Sequence, residues 1–190
     1  MLSVDFAEIE RLQVAGEWER AGELLADEAR ALEAAGADLL VLCTNTMHKV
    51  ADALTAAVEV PLLHIGDVTG AAVAAAGLGR VGLLATGFTM DQEFLPDRLR
   101  AHGLDVFVPE PDDRAEVHRI IDEELCLGIV REESRKVYQQ VVDRLVARGA
   151  EGVILGCTEI ELLLGADDVD VPVFPTTALH VEAAVAAALA

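Results

Sequence analysis

A thiol, a hydroxyl and a carboxylate stand together at the end of one short apolar run, where Val153-Ile154-Leu155 leads into Gly156-Cys157-Thr158-Glu159. The run has the length and β-branched content of a buried parallel strand. In an open α/β sheet, ligands bind just outside the carboxyl ends of the strands, so a Cys there is placed for acid–base or nucleophilic chemistry. Most free cysteines are small buried apolar residues, and this stretch alone leaves both readings open.

The chain contains the same stretch twice. Ala35-Gly36-Ala37-Asp38-Leu39-Leu40-Val41-Leu42-Cys43-Thr44-Asn45-Thr46 aligns without a gap onto residues 148–159, Gly36 falling on Gly149 at an offset of 113. Downstream, Val60-Pro61-Leu62-Leu63 matches Val171-Pro172-Val173-Phe174 at an offset of 111, and upstream Met1 to Phe6 matches Leu104 to Pro109. The repeat predicts two similar lobes related by a pseudo-two-fold axis, with a cleft between them. Its register pairs Cys157 with Thr44, not with Cys43. Because strand side chains alternate between faces, Cys43 is expected to point away if Thr44 points into the cleft.

Two reactive side chains at equivalent places on opposite lobes suit chemistry at one carbon approached from both sides. Removing the α-proton of an amino acid on one face and returning it on the other inverts the stereocentre. That reaction needs a base, an acid and donors for the carboxylate whose charge grows. Asn45, Thr46 and Thr158 read as helix N-terminal residues, where anions are stabilised, and a thiol made more acidic at such a position can act as the base.

The elements that must position these residues alternate. Strands are predicted at 1–6, 38–43, 61–65, 81–85, 104–108, 153–155 and 171–174. Helices are predicted at 17–35, 47–58, 67–76, 90–102, 112–127 and 132–148, with a short one after Cys157 and a last one from Thr177. This pattern means α/β architecture with parallel sheets covered on both faces. The divisions are an N-terminal lobe over 1–79 bearing Thr44 and a C-terminal lobe over 80–170 bearing Cys157. A final strand and helix, 171–190, belong to the second lobe and reach toward the first. The second half has a strand and helix, 81–102, whose counterparts would precede Met1. The first lobe therefore reads as lacking its first strand and helix, with a sheet edge exposed.

The formal charge of −20 argues against nucleic acid, which needs clustered Lys and Arg. Despite 53% hydrophobic residues, no run reaches the ~18 to 20 apolar residues of a membrane span, and the N-terminus does not read as a signal peptide. Three cysteines without a C-x-x-C pair give neither a disulfide framework nor a zinc spacing, which points to a soluble chain in the reducing cytoplasm. Cys43 and Cys126 read as core residues. His48 reads as structural or as orienting the Thr44 loop; His64, His102, His118 and His180 read as surface or satisfied core residues, with no metal-like spacing. The glycines at 77, 79, 82 and 87 make no dinucleotide fingerprint.

Cys-Thr-Asn-Thr-Met-His at 43–48, Gly-Leu-Leu-Ala-Thr at 82–86 and Gly-Cys-Thr-Glu-Ile at 156–160 resemble the aspartate/glutamate racemase family, and the likeness extends to Ser3-Val4-Asp5-Phe6 and Glu124-Leu125-Cys126-Leu127-Gly128. The resemblance implies a two-lobed α/β enzyme, often a homodimer, acting on a small amino-acid substrate with neither cofactor nor metal. It places Thr44 and Cys157 at the catalytic positions and Gln13, Asn45, Thr46, Thr158, Glu159 and Thr86 around the substrate; Glu159 reads equally as a helix cap. Two departures stand out. The commoner family pattern has Cys where Thr44 stands, and an alcohol is a far weaker acid than a thiol, which predicts lopsided activity favouring L-aspartate or L-glutamate. Family members also carry an upstream strand with a Gly-Gly-Met loop that contacts substrate, so weak or no activity is expected of a chain lacking it. Alternatives are decarboxylation or isomerisation of small dicarboxylates, or non-catalytic binding of a small molecule.

Overall fold

The computed structural model describes residues 1–190. The chain forms two parallel sheets. The smaller pairs β1 (Leu40–Val41) with β2 (Leu62–Leu63). The larger has the order β4-β3-β5-β6, from β3 (Arg80–Ala85), β4 (Asp105–Phe107), β5 (Gly152–Gly156) and β6 (Val173–Pro175). Helices α1 (Phe6–Ala15), α2 (Trp18–Ala34), α3 (Ala51–Thr55) and α4 (Ile65–Ala75) come from the first part of the chain. The later ones are α5 (Gly87–Met90), α6 (Phe94–Arg100), α7 (Pro111–Glu123), α8 (Glu132–Ala147) and α9 (Thr176–Ala188). No helix is long and apolar enough to cross a membrane.

The internal repeat is written in hydrogen bonds. α2 ends with Gly36 N–H donating to Glu33 O and Ala37 N–H to Leu32 O; α8 ends with Gly149 to Val146 and Ala150 to Leu145, the same bonds 113 residues later. Both glycines take the left-handed backbone, at φ 90° and 111°, which a side chain would strain. The following strands start alike: Leu40 N–H donates to Pro61 O and Val153 N–H to Pro172 O, each at 2.9 Å. The Gly-Ala-acid motif is thus a helix C-cap that aims the chain into a strand leading to Thr44 or Cys157.

The two halves differ in core. A cluster of 27 buried apolar residues surrounds the four-stranded sheet, against nine beneath the two-stranded one. Burial drives folding in rough proportion to apolar area removed from water, so most of the stabilisation belongs to the larger sheet. Its close packing leaves no room at Gly82, where a Cβ would lie 2.8 Å from Leu145 Cδ1 on α8.

Four expectations need correction. Residues 1–5 form no strand, because nothing lies beside them to pair with; Asp5 instead caps α1, accepting from Ala7 N–H at 3.0 Å. The helix expected over 90–102 is two, α5 and α6, divided at Asp91–Glu93, since Pro96 carries no N–H and is tolerated only in a first turn. The helix expected over 47–58 is a 3₁₀ turn, Thr46–Val50, followed by the short α3. The one expected over 112–127 stops at Glu123 and continues as a 3₁₀ turn, Leu125–Leu127.

Candidate active site

The carboxyl ends of β1 and β5 open onto one cavity of about 340 Å³. Thr44, three residues past β1, and Cys157, one past β5, both line it, and so do Gln13, Asn45, Thr46, Thr86, Thr158 and Glu159. All eight residues singled out in the sequence therefore meet in one place. A second, apolar groove of about 310 Å³ lies between residues 2–4, α1, α2 and β1; it carries little polar chemistry.

Cys157 is buried, and its thiol donates to Glu159 Oε2 at 2.9 Å. The same oxygen accepts from Thr158 Oγ1 at 2.7 Å. Glu159 is therefore turned inward against the sulfur. Burial first, and then the facing carboxylate, hold the Cys157 thiol well above its ordinary range. This corrects the expectation of an acidified thiol. The turn that follows is a single 3₁₀ segment, Thr158–Leu162, and its small dipole is outweighed by the neighbouring charge. For Glu159, burial pushes the carboxyl up, but the hydrogen bonds from Cys157, Thr158 and its own backbone prevail and lower it. The resting pair is thiol plus carboxylate.

Thr44 is half-buried, its backbone N–H donating to Leu42 O at 2.8 Å. Asn45 and Thr46 are buried, and both reach across to the other half of the chain. Asn45 Nδ2 donates to Thr176 Oγ1 at 2.9 Å, and Thr176 Oγ1 donates to Leu155 O on β5 at 2.9 Å. Thr46 Oγ1 shares hydrogen bonds with Thr86 Oγ1 at 3.2 Å and Thr89 Oγ1 at 3.1 Å. Gln13 is buried on α1, with Nε2 against Met47 Sδ at 3.0 Å. Asn45 Oδ1 is buried without a partner in the protein, leaving an acceptor for a ligand.

The sequence reading missed much of the wall. Phe6, Glu10 and Val14 enter beside Gln13 along one face of α1, and His118, Ile121 and Asp122 come from one face of α7. Helical spacing groups each set, yet nothing local says which solvent-facing helix closes the cavity. Cys43 and Cys126, expected in the core, are exposed, and both border the cavity. The smaller sheet has no strand on the side of β1 away from β2, and the thiol of Cys43 makes only a long contact to Val41 O at 3.7 Å. The lining holds Glu10, Asp122 and Glu159 but neither Lys nor Arg, so carboxylates face an incoming ammonium while hydroxyls and amides must serve an anion.

Known proteins share this sequence pattern and fold. The sequence profile described as Asp/Glu/Hydantoin racemase matches residues 2–184. A crystal structure of a Yersinia pestis protein assigned as an Asp/Glu racemase is similar at 52% identity and a TM-score of 0.92, over 99% of this chain and 82% of that one. An aspartate racemase homologue from Pyrococcus horikoshii is similar at 34% identity and a TM-score of 0.87, over 100% of this chain and 82% of that one. An uncharacterised Pectobacterium carotovorum protein, encoded in the pnlA 3′ region, is 36% identical over 103 residues, 54% of this chain and 67% of that one. With its two lobes of parallel sheet and its match over nearly the whole length, the chain belongs to the Asp/Glu/hydantoin racemase family.

Proposed function

We propose that this racemase-family chain removes and returns the α-proton of aspartate or glutamate without a cofactor, Cys157 working on one face of the carbon and Thr44 on the other. The observation that carries this reading is that two repeat-equivalent side chains open onto one cavity whose carboxylates can hold an ammonium group. The resting thiol passes its proton to Glu159 Oε2, 2.9 Å away, giving a thiolate and a carboxylic acid. The substrate's ammonium group favours that transfer by offsetting the thiolate charge. The thiolate then takes the α-proton, and the electron pair moves into the substrate carboxylate as an enediolate, stabilised by hydroxyl and amide donors. Thr44 O–H delivers a proton to the opposite face and recovers its own from a water molecule; the hydroxide so formed takes the proton held by Glu159, which restores both the water and the resting thiol–carboxylate pair.

The direction follows from acidity. An alcohol gives a proton to a carbanion readily, but its alkoxide is scarcely populated as a resting base. The family resemblance implies that the C-terminal Cys serves the L-face, so L-aspartate and L-glutamate exchange their α-proton faster than their enantiomers. We assign the apolar groove between residues 2–4 and β1 to a further strand, because in the larger sheet β3 occupies the equivalent place between β4 and β5. A version extended upstream with such a strand turns over faster than residues 1–190.

The test is deuterium exchange at Cα in heavy water, followed by proton NMR and chiral chromatography. L-Glutamate or L-aspartate exchanges at least about tenfold faster than its enantiomer, and Cys157→Ala abolishes that exchange. Equal rates from both enantiomers overturn the L-preference. Exchange that survives Cys157→Ala overturns the catalytic assignment.

A further inference from the structure

Thr44 has a hydroxyl that must meet substrate from one side only, yet it sits on a loop with two residues of strand behind it. Two backbone bonds hold it. Its N–H donates to Leu42 O at 2.8 Å, and its carbonyl oxygen lies 2.7 Å from Nδ1 of His48. The other ring nitrogen, Nε2, accepts from the backbone N–H of Ile65, the first residue of α4, at 3.1 Å. A carbonyl can only accept and an N–H can only donate. The two bonds together therefore fix His48 as the neutral tautomer with its proton on Nδ1.

From this geometry we infer that His48 is the positioning residue for Thr44, tying the loop that presents the second acid to the start of α4. The inference rests on the racemase reading and deepens it. His48 lines neither the cavity nor the groove, and it is 3% exposed, so it acts through Thr44 and not on substrate. Its ring packs edge-on against His64 at 4.5 Å and His180 at 5.9 Å between centroids. Those two are engaged separately: His64 Nδ1 accepts from Gly66 N–H, and His180 Nε2 donates to Leu63 O. The three rings thus clamp the ends of β2 and α4 with His48 as the member that reaches the site. Burial, reinforced by the two neighbouring imidazoles, makes His48 resist protonation, with its pKa lowered to about 3, so the same tautomer persists across the working pH range.

A purely structural His would affect every activity alike, whereas a positioning residue for Thr44 affects one face. In heavy water, Cys157 alone exchanges the α-proton of an L-amino acid with retention, while inversion also requires Thr44. The expected result is that His48→Ala lowers inversion of L-glutamate about a hundredfold, as for a small misplacement of a reacting group, and leaves exchange with retention within about twofold. His48→Asn, whose amide N–H can replace the Nδ1 donor, restores most of the inversion. The retained exchange reports that the variant is folded. Nitrogen-15 NMR of the unaltered protein, needing no variant, shows His48 protonated at Nδ1 from pH 6 to 8. An unchanged ratio of inversion to exchange, a parallel loss of both in folded protein, or a proton on Nε2 overturns the inference. Absence of Cys157-dependent exchange from the unaltered protein overturns the racemase reading instead.

Discussion

Glu159→Gln tests how far a facing carboxylate keeps the Cys157 thiol protonated. The carboxylate oxygen stands 2.9 Å from the Cys157 sulfur, so a thiolate formed there faces a full negative charge. Two unit charges about 4 Å apart interact by about 4 kcal/mol at an effective dielectric of 20. Glu159 is half-buried, and solvent screening reduces this to about 2 kcal/mol. Removing the charge while keeping the shape then raises the thiolate population at neutral pH about 30-fold. A more acidic thiol is also a weaker nucleophile, with a Brønsted coefficient of about 0.4–0.5, so the alkylation rate rises only about sixfold.

The assay is iodoacetamide labelling read peptide by peptide, which reports all three cysteines at once. Cys43, whose thiol touches only the Val41 carbonyl, is the reference. Cys126 is held up by burial first and by Glu159, Asp122 and Glu10 after it, so it speeds up by less than Cys157. A graded response, Cys157 above Cys126 above Cys43, is expected. Labelling of Cys157 that is unchanged or slower relative to Cys43, in protein with unaltered circular dichroism, refutes the reasoning. Burial alone, without the carboxylate, would then hold the thiol protonated.

Thr176→Val leaves the Asn45 amide and the Leu155 carbonyl without their shared partner, and it is expected to lower stability by about 1–3 kcal/mol in urea unfolding. Gly156→Ala places a Cβ 2.9 Å from Leu83 Cδ1 and 3.2 Å from both Ala85 Cβ and the Leu84 carbonyl oxygen; overpacking there costs about 1–3 kcal/mol, read the same way. The pH dependence of stability follows from His48. Its folded-state pKa, about 3, lies below the unfolded value of about 6.5, so its contribution is complete above about pH 6.5 and is lost as pH falls toward 3. Between pH 6.5 and 5 this removes about 2 kcal/mol, with His64, lowered by burial and then by Arg98, adding in the same direction. Urea midpoints at pH 7 and pH 5 check it, and His48→Asn shrinks the difference.

What the sequence reveals about this site depends on how far away the partner of each residue lies. The repeat is legible because a helix C-cap is local: Gly36 and Gly149 carry identical bonds within five residues on either side, and from them the register runs unbroken to Thr44 and Cys157. Residues 1–5 carry the apolar pattern of a strand, but a strand exists only where a neighbour pairs with it, and no pattern within the segment reports that neighbour. The acidity of Cys157 fails for a related reason. Its position at a turn suggests an acidified thiol, and the burial of the sulfur, followed by the inward rotamer of Glu159, decides otherwise. Asn45 and Thr46 show the limit most clearly. Polar residues beside a candidate catalytic one invite assignment to substrate, yet one amide proton of Asn45 goes to Thr176, 131 residues away, and the Thr46 hydroxyl to Thr86 and Thr89. Buried polar groups must find partners, and here the partners lie on the other lobe. The bonds run from the Thr44 loop to β5 and to the end of β3, the elements that carry Cys157 and Thr86. Their physical effect is to fix the gap between the two faces of the cavity, which the proposed proton transfer at a single carbon would require.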